Sequence, residues 1–248
     1  MKLALIPPMS LLNTADTNYH MVLPQLLSNS SYNRYYQECC RNPNNFVIMD
    51  NGAAEGETVS SQKLVNHAIE LGVQEVVAPD VLGDASYTLR RSLDFVDDFG
   101  YLLFEHNIGI MYVLHGRTWN ELYMGIHFAT CTQFISSIGI PRSTFDLFPY
   151  DLARHSVASQ ISDRTNKPIH LLGMHPKYIT EFGGKSWPDS VRGVDTSAPY
   201  NYTYSGAKID GSDNPVSRVR DYFDLPIELF DEYLLAANIN YLKGVVDV

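Results

Sequence analysis

Short apolar runs rich in β-branched residues recur along the chain, and each ends in polar or glycine-rich residues. Seven runs of this kind are present: Leu3–Pro7, Phe46–Asp50, Glu75–Asp80, Ile110–His115, Phe134–Ile140, Ile169–Met174 and Val191–Asp195. Most of the intervals between them have helical periodicity. Strands that alternate with helices predict a parallel sheet with crossover helices, and therefore an α/β fold.

Four of the intervening segments are predicted to be helices. The clearest is Ser60–Leu71, where a serine precedes the helix and Leu64, Ala68 and Leu71 fall on one face. The others are Tyr87–Phe99, Trp119–Thr130 and Phe148–Ser162. With helices of this length between the strands, each strand can return parallel to the one before it.

The fold class that these patterns favour is a (β/α)8 TIM-like barrel, with residues 1–248 forming one domain. An eighth strand is needed for closure, and Asn201–Lys208 is a candidate. The segment Leu11–Pro43 is predicted to be a long loop over one end of the barrel, and Pro215–Val248 to form packing helices. An open doubly wound sheet is the alternative. The barrel is favoured because successive strand ends carry reactive groups.

Composition excludes several classes of protein. The formal charge of −10 argues against a non-specific nucleic-acid coat, although it allows a local basic face. Three cysteines fit neither a disulfide framework nor a zinc site, so an intracellular, cytoplasmic protein is expected (in the host cytoplasm if a phage encodes it). No apolar run is long enough for a membrane span. Phosphate-binding glycine motifs are absent, and neither a cofactor nor a metal ion is expected.

Acidic and other polar residues stand where the predicted strands end. In chain order they are Asp50-Asn51-Gly52, Asp80, Asp84, His115-Gly116, Gly139-Ile140, Gly173-Met174 and Asp195. In a barrel these ends lie on one rim. Carboxylates that share a pocket raise one another's pKa values, which suits an acid/base group beside a nucleophile.

Each of these residues also has an ordinary structural explanation. Asp50 and Asp195 can be turn residues, Asp84 can cap the helix that follows it, and His115 can be a hydrogen-bonded core histidine. A metal-dependent hydrolase using Asp50, Asp84, His115 and Asp195 is a further alternative, although no H-x-H motif supports it. The ordinary explanations weaken for the set as a whole, because independent turn residues need not follow successive strands.

The ordered rim motifs resemble those of a known family. They are Met49–Ala53, Ala78–Ser86, Tyr112–Gly116, Ile138–Ile140, Leu171–His175 and Arg192–Asp195. Their order resembles the tRNA-guanine transglycosylase superfamily, and especially its small phage and bacterial relatives that insert 7-deazaguanines into DNA. The resemblance covers roughly Leu3 to Tyr204. The chain departs from it in three ways. The family's zinc motif is missing, His115 replaces a glutamine, and one register of the nucleophile motif puts Ala198 rather than Asp195 at the nucleophile.

The resemblance implies base exchange at C1′ of a guanosine-type nucleotide. Asp195 would be the nucleophile, as a carboxylate is in retaining glycosidases, and Asp50 the general acid and base. Asp84 would accept hydrogen bonds from the donor edge of guanine. Other predicted substrate contacts are His115, Gly139 and Ile140 on the O6 side, Met174 stacked on the base, and the neighbouring Asn51, Asp80, Gly116 and Gly173.

The same resemblance implies a nucleic-acid partner and a 7-deazaguanine base. DNA is favoured over tRNA because the zinc subdomain is missing. Candidate nucleic-acid contacts are Arg142, Lys177, Lys185, Arg192, Tyr200, Tyr202 and Lys208. The tyrosines can equally be ordinary packing aromatics. Two rival functions are a barrel hydrolase or lyase acting on a small molecule, and an inactive relative that binds nucleic acid.

Overall fold

The computed structural model describes residues 1–56, 58–144, 153–174, 181–182, 186–210 and 216–246. These residues form eight β-strands: β1 Lys2–Leu5, β2 Tyr19–Val22, β3 Phe46–Met49, β4 Glu75–Val77, β5 Gly109–Val113, β6 Ile135–Pro141, β7 Ile169–Leu172 and β8 Val191–Thr196. They also form seven α-helices: α1 Ser30–Arg41, α2 Ser61–Leu71, α3 Ala85–Glu105, α4 Trp119–Cys131, α5 Ala153–Ser162, α6 Ala198–Tyr204 and α7 Glu232–Val246.

The strands form one parallel sheet in the order β1-β8-β7-β6-β5-β4-β3-β2. The first and last strands of that order, β1 and β2, contact each other, so the sheet curls into a nearly closed barrel. Helices alternate with most of the strands. The predicted (β/α)8 architecture is therefore confirmed, and the open doubly wound alternative is wrong.

The eighth strand is β2, and its prediction at Asn201–Lys208 is wrong. The first half of that segment belongs to helix α6, whereas β2 lies inside Leu11–Pro43, which was predicted to be a loop. The residues of β2 are Tyr-His-Met-Val, and this pattern lacks the β-branched run that marks the other strands. The Tyr19 hydroxyl of β2 is buried, and its hydrogen-bond partners, His170 and Arg192, come from distant parts of the chain.

Helix α1, in the same segment, packs on the chain at the end of β2 with a face of tyrosines. The hydroxyl of Tyr32 accepts a hydrogen bond from the Leu23 amide at 3.0 Å, and that of Tyr36 donates to the Met21 carbonyl at 2.9 Å. Both tyrosines are almost completely buried. These bonds satisfy main-chain groups that would otherwise be buried without a partner.

Two apolar clusters make up the core. A large one lies between the strands and the helices, and a smaller one fills the barrel interior with Ala4, Tyr19, Met21, Ile48, Val77, Met111 and Val113. Gly193 in β8 leaves the space that the Tyr19 ring occupies, since a Cβ at this position would lie 2.5 Å from Cε1 of that ring. The interior is thus a packed core, as in other barrels of this size.

Local signals place the helix starts. Ser60 caps α2 by accepting from the Lys63 amide, and Asp84 caps α3 by accepting from the Tyr87 amide at 2.9 Å. The predicted C-terminal packing helix is present as α7, although Leu229 and Tyr233, on or near it, are exposed. In the part of the chain that the structure describes, no helix has the length and apolar character to cross a membrane.

Candidate active site

A cavity of about 670 Å³ opens at the C-terminal ends of the strands. That size fits a small organic ligand. Its apolar walls include Met21, Leu23, Val77, Val113, Leu172 and Met174. Its polar lining includes Asp50, Asn51, Glu55, Asp80, Arg142, Ser143, Gly173, Asp195, Asn201 and Arg218. The structure thus brings Asp50, Asp80 and Asp195 to one site from the ends of β3, β4 and β8.

Asp195 is buried, and its carboxylate is held through one oxygen. Oδ1 accepts a hydrogen bond from the Gly173 amide at 2.9 Å and lies 3.0 Å from Nε2 of His170. Gly173 has a positive φ of 75°, which favours glycine at this turn. Among the described residues, Oδ2 has no hydrogen-bond partner. One carboxylate oxygen is therefore fixed, while the other remains available to a ligand in the cavity.

Asp50 has a different environment, although it lines the same cavity. Burial raises its pKa from 3.8 to about 7, and the negative charge of Glu55 adds to this rise. A hydrogen bond from the Gly52 amide to Oδ2, at 3.0 Å, opposes the rise, while Asp195 and Asp80 add to it. A carboxyl group with a pKa near 7 can both donate and accept a proton at neutral pH.

Asp80 is held in place by two side chains. Oδ1 accepts from Nδ2 of Asn51 at 2.8 Å, and Oδ2 lies 2.5 Å from Nε2 of His115. The Gly83 amide donates to Nδ1 of His115 at 3.3 Å, so the hydrogen of a neutral ring is on Nε2 and points to Asp80. His115 is buried and does not line the cavity. In this structure His115 therefore orients Asp80 rather than lining the space for a base.

Four other predicted substrate contacts lie outside the cavity. Asp84 is the cap of α3, which leaves Asp80 as the acidic group after β4 that faces the ligand space. A Cβ on Gly116 would lie 2.9 Å from Leu122, and one on Gly139 would lie 2.7 Å from Leu172, so both glycines serve close packing. Ile140 is fully buried in the core between strands and helices. None of these four residues is part of the cavity lining, so the geometry adds no support to their predicted contacts with a base.

The predicted nucleic-acid contacts also include residues that line the cavity and residues that lie away from it. Arg142 lines the cavity, whereas Lys208 is exposed outside it. Tyr200 and Tyr202 are buried in α6, and the Tyr200 hydroxyl lies 3.1 Å from Oγ1 of Thr14, so the two rings pack inside the protein rather than along the cavity. Lys177 and Lys185 lie outside the described residues.

Arg192, another candidate nucleic-acid contact, does not lie at the rim. It lies near the start of β8, at the end of the barrel away from the cavity, and pairs with Glu75 at the start of β4. Because the strands are parallel, their N-terminal ends lie together at that far face. Arg192 therefore has no access to a ligand at the C-terminal rim.

The cavity also contains residues that sequence reasoning missed. Glu55 and Arg218 form an ion pair at 2.8 Å across its opening, and the Arg218 guanidinium stacks 4.6 Å from the ring centres of Tyr222 and Phe223. Asn201 lines the cavity, and its buried Oδ1 accepts no hydrogen bond from the described residues. No local motif marks these positions, because their partners are distant in the sequence.

The metal-dependent alternative gains no support from this geometry. Within the described ranges, no group of three or more histidine, cysteine, aspartate or glutamate side chains is arranged to hold a metal ion. Of the four residues considered, Asp84 and His115 lie outside the cavity lining.

A scan against models of protein families and a search of curated proteins found no match to this chain.

Proposed function

We propose that the protein is a base-exchange transglycosylase that replaces guanine in DNA with a 7-deazaguanine, such as 7-cyano-7-deazaguanine. The main support is the pairing of two carboxyl groups in one cavity. Asp195 has one oxygen fixed and one available, and Asp50 has a pKa near 7. A nucleophilic carboxylate and an acid/base carboxyl group are the pair that a retaining glycosyl transfer requires.

In the proposed reaction, Oδ2 of Asp195 forms a bond to C1′ while the bond from C1′ to N9 of guanine breaks. Protonated Asp50 gives its proton to the departing base and becomes ionised. The incoming 7-deazaguanine then loses its N9 proton to Asp50. Its N9 attacks C1′ and releases Asp195. The same carboxyl group thus serves as acid in the first half and base in the second.

Guanine selectivity would come from Asp80. The Watson–Crick edge of guanine carries N1–H and an exocyclic amine, both of them donors, and a fixed carboxylate accepts from both. Asn51 and His115 hold the Asp80 carboxylate in place, which lowers the entropic cost of that recognition. Adenine presents an acceptor at N1 and would leave the carboxylate without a matching donor.

The target nucleotide must leave its stack to enter the cavity. Among the described residues, Arg142 and Arg218 are the cations that line the cavity, and they are suited to contact the flanking phosphates. Asn201 Oδ1 supplies a further acceptor inside the cavity. The choice of DNA over tRNA comes from the family resemblance. In that family the tRNA enzymes carry a zinc subdomain, and this chain lacks its motif.

The test is incubation with labelled 7-cyano-7-deazaguanine and either guanine-containing duplex DNA or tRNA, followed by nucleoside mass spectrometry. Incorporation into DNA alone is expected, with loss in Asp195→Asn and Asp50→Asn. Asp97→Asn, an equal change on the exposed face of α3, is the control and is expected to be fully active.

The other outcomes separate the rival functions. Incorporation into tRNA alone would overturn the choice of DNA and keep the chemistry. No incorporation into either, with other 7-deazaguanines also inactive, would contradict the proposal. Turnover of small glycosides without nucleic acid would then favour a small-molecule hydrolase, and DNA binding without turnover an inactive relative.

A further inference from the structure

Behind Asp195, a line of polar side chains crosses the barrel interior. Nε2 of His170 lies 3.0 Å from Oδ1 of Asp195, and Nδ1 of His170 lies 2.7 Å from the Tyr19 hydroxyl. Nε of Arg192 lies 3.1 Å from the same hydroxyl. The line joins the cavity at the C-terminal rim to the opposite end of the barrel. His170 and Tyr19 are fully buried.

The direction of each hydrogen bond in this line follows from its last member. A guanidinium only donates, so the Tyr19 oxygen accepts from Arg192. The Tyr19 hydroxyl keeps one hydrogen to donate, and Nδ1 of His170, at 2.7 Å, is the acceptor that the described residues offer it. Burial raises the pKa of Tyr19 above its ordinary value against the opposing charge of Arg192, so this hydrogen is retained. With Nδ1 as acceptor, the hydrogen of neutral His170 is on Nε2 and faces Asp195.

Arg192 is itself fixed at the far end. Its Nη2 lies 2.5 Å from Oε2 of Glu75, and Oε1 of Glu75 accepts a hydrogen bond from Ser136 at 3.2 Å. The guanidinium also stacks 4.3 Å from the centre of the Phe46 ring. This set of contacts leaves the guanidinium little freedom to turn, so the donor to Tyr19 is constant.

We infer that Arg192, Tyr19 and His170 form a directional hydrogen-bond relay whose task is to hold Asp195 with Oδ1 occupied and Oδ2 available for reaction. These three are positioning residues, since none of them lines the cavity. The relay itself is a property of the fold. Its effect on a reaction rate rests on the proposed function.

A purely structural role explains this line poorly. Most of the smaller core cluster inside the barrel is apolar, and polar groups in such a place are costly unless every one is hydrogen-bonded. Well-packed apolar residues often stabilise a core as well as a buried ion pair does. Here the polar groups are continuous, each has a partner, and the line ends on a carboxylate of the candidate site. A preorganised site requires this kind of support from behind.

The first test needs no substrate. Nitrogen NMR of protein labelled at its eight histidines reports which ring nitrogen carries the hydrogen, and the His170 signals are assigned by their loss in His170→Gln. A neutral Nε2–H ring is expected. In Tyr19→Phe the Nδ1 signal is expected to move to the position of an unbonded nitrogen. Tyr36→Phe, which also removes a buried hydroxyl that donates one hydrogen bond, is expected to leave it unchanged.

Two results would overturn the relay. One is a His170 ring with its hydrogen on Nδ1 or on both nitrogens in the wild-type protein. The other is an identical Nδ1 signal in the wild-type and Tyr19→Phe proteins. Neither result depends on base exchange. If these spectra are as expected while no nucleic acid is modified, the proposed function fails and the relay remains.

The second test measures the rate of covalent intermediate formation in a single turnover. His170→Leu is expected to lower this rate about 100-fold with little change in KM, because the carboxylate loses its orientation. In His170→Gln the amide can accept from Tyr19 and donate to Asp195, so a loss of less than about tenfold is expected. Equal losses in the two folded variants, or none in either, would contradict the positioning role.

Discussion

Asp50 and Asp195 carry the same functional group and line the same cavity, yet their environments give them different properties. Asp195 receives a hydrogen bond from the Gly173 main chain and lies within hydrogen-bond distance of His170. Asp50 receives one from the Gly52 amide, which lowers its pKa. Burial and the acidic neighbours of Asp50 raise the pKa by more than this hydrogen bond lowers it. Local geometry therefore fixes one carboxyl oxygen of Asp195, whereas burial raises the pKa of the chemically identical Asp50 side chain.

The pKa of Asp50 predicts how stability depends on pH. A folded-state pKa near 7 lies above the value of 3.8 for an unperturbed aspartate, so ionising Asp50 costs the folded state free energy. This cost is absent below pH 3.8 and grows as the pH rises to about 7. Asp50→Asn removes it and is expected to raise the free energy of unfolding at pH 8 by roughly 4 kcal/mol, the free-energy equivalent of this pKa difference.

Urea unfolding of both proteins at pH 8 and at pH 5 measures this effect. The difference between the two proteins is expected to shrink at pH 5. Asp97→Asn, on the exposed face of α3, controls for the general effect of removing a carboxylate. A stabilisation by Asp50→Asn that is equal at the two pH values would contradict the raised pKa.

Base selectivity is predicted to depend on Asp80 and not on Asp84. Asp80→Asn replaces one carboxylate oxygen by an amide donor, which opposes the donor edge of guanine. A fall in kcat/KM of about 100-fold is expected, as for other lost polar contacts in a site built for them. Asp84→Asn keeps the cap of α3, since asparagine caps helices well, and is expected to have little effect.

Steady-state kinetics of base exchange in the two variants measures the difference. A larger loss in Asp84→Asn than in Asp80→Asn would mean that Asp84 reads the base. That result would also favour the position that the resemblance implied over the position that the cavity lining supports.

Among the secondary-structure elements, the end of β7 depends on a buried ion pair from its neighbours. Arg154 of α5 donates to both carboxylate oxygens of Glu181, at 3.1 and 2.8 Å, and to the carbonyl of Gly173 at 3.0 Å. Both charged side chains are almost fully buried. The turn that holds Asp195 through the Gly173 amide is thus fixed from the outside of the barrel as well.

Breaking this ion pair is expected to be strongly destabilising. Arg154→Met removes both hydrogen bonds from the guanidinium to the buried Glu181 carboxylate, which is expected to cost about 3–5 kcal/mol in free energy of unfolding. Arg164→Met, the same change at an exposed arginine, is expected to cost less than about 0.5 kcal/mol. Chemical denaturation compares the two. Equal small losses would mean that Glu181 is accessible to water or protonated.

Over the whole molecule, the C-terminal helix completes the fold near the place where the barrel closes. Helix α7 contacts both α6 and β1, the strand that stands next to β2 at the closure. Asn238 of α7 accepts from the Ile209 amide at 2.7 Å and donates to Thr203 and Ala207. The segment after β8 is therefore tied to α7 by polar bonds as well as by apolar packing.

Packing of α7 gives a prediction with a closely matched control. Leu242 is completely buried, and Leu242→Ala is expected to lower the free energy of unfolding by about 2–5 kcal/mol. Leu229→Ala is the same substitution at a side chain that is 49% exposed, and its expected cost is well below 1 kcal/mol. Thermal unfolding of both variants measures the contrast. Comparable losses would mean that α7 does not pack on the barrel as described.

The sequence alone determined the α/β class, seven of the eight strands and the ends of the strands that carry acidic groups. These features are local, since hydrophobic periodicity, capping residues and strand-end polarity can be read within a dozen residues. The sequence also predicted that Asp50, Asp80 and Asp195 lie at one rim, because parallel strands in a barrel bring their C-terminal ends together.

Only the tertiary structure decided which of these residues face the cavity and which support it. Some side chains suited to binding make structural contacts instead. Asp84 caps α3, His115 contacts Asp80, Arg192 pairs with Glu75, and the Tyr200 hydroxyl contacts Thr14. The strand β2 was missed because its residues lack a β-branched run and because the buried Tyr19 hydroxyl depends on a distant hydrogen-bond partner, His170. Long-range contacts of this kind leave no periodic signal in the chain, so three-dimensional packing alone assigns them.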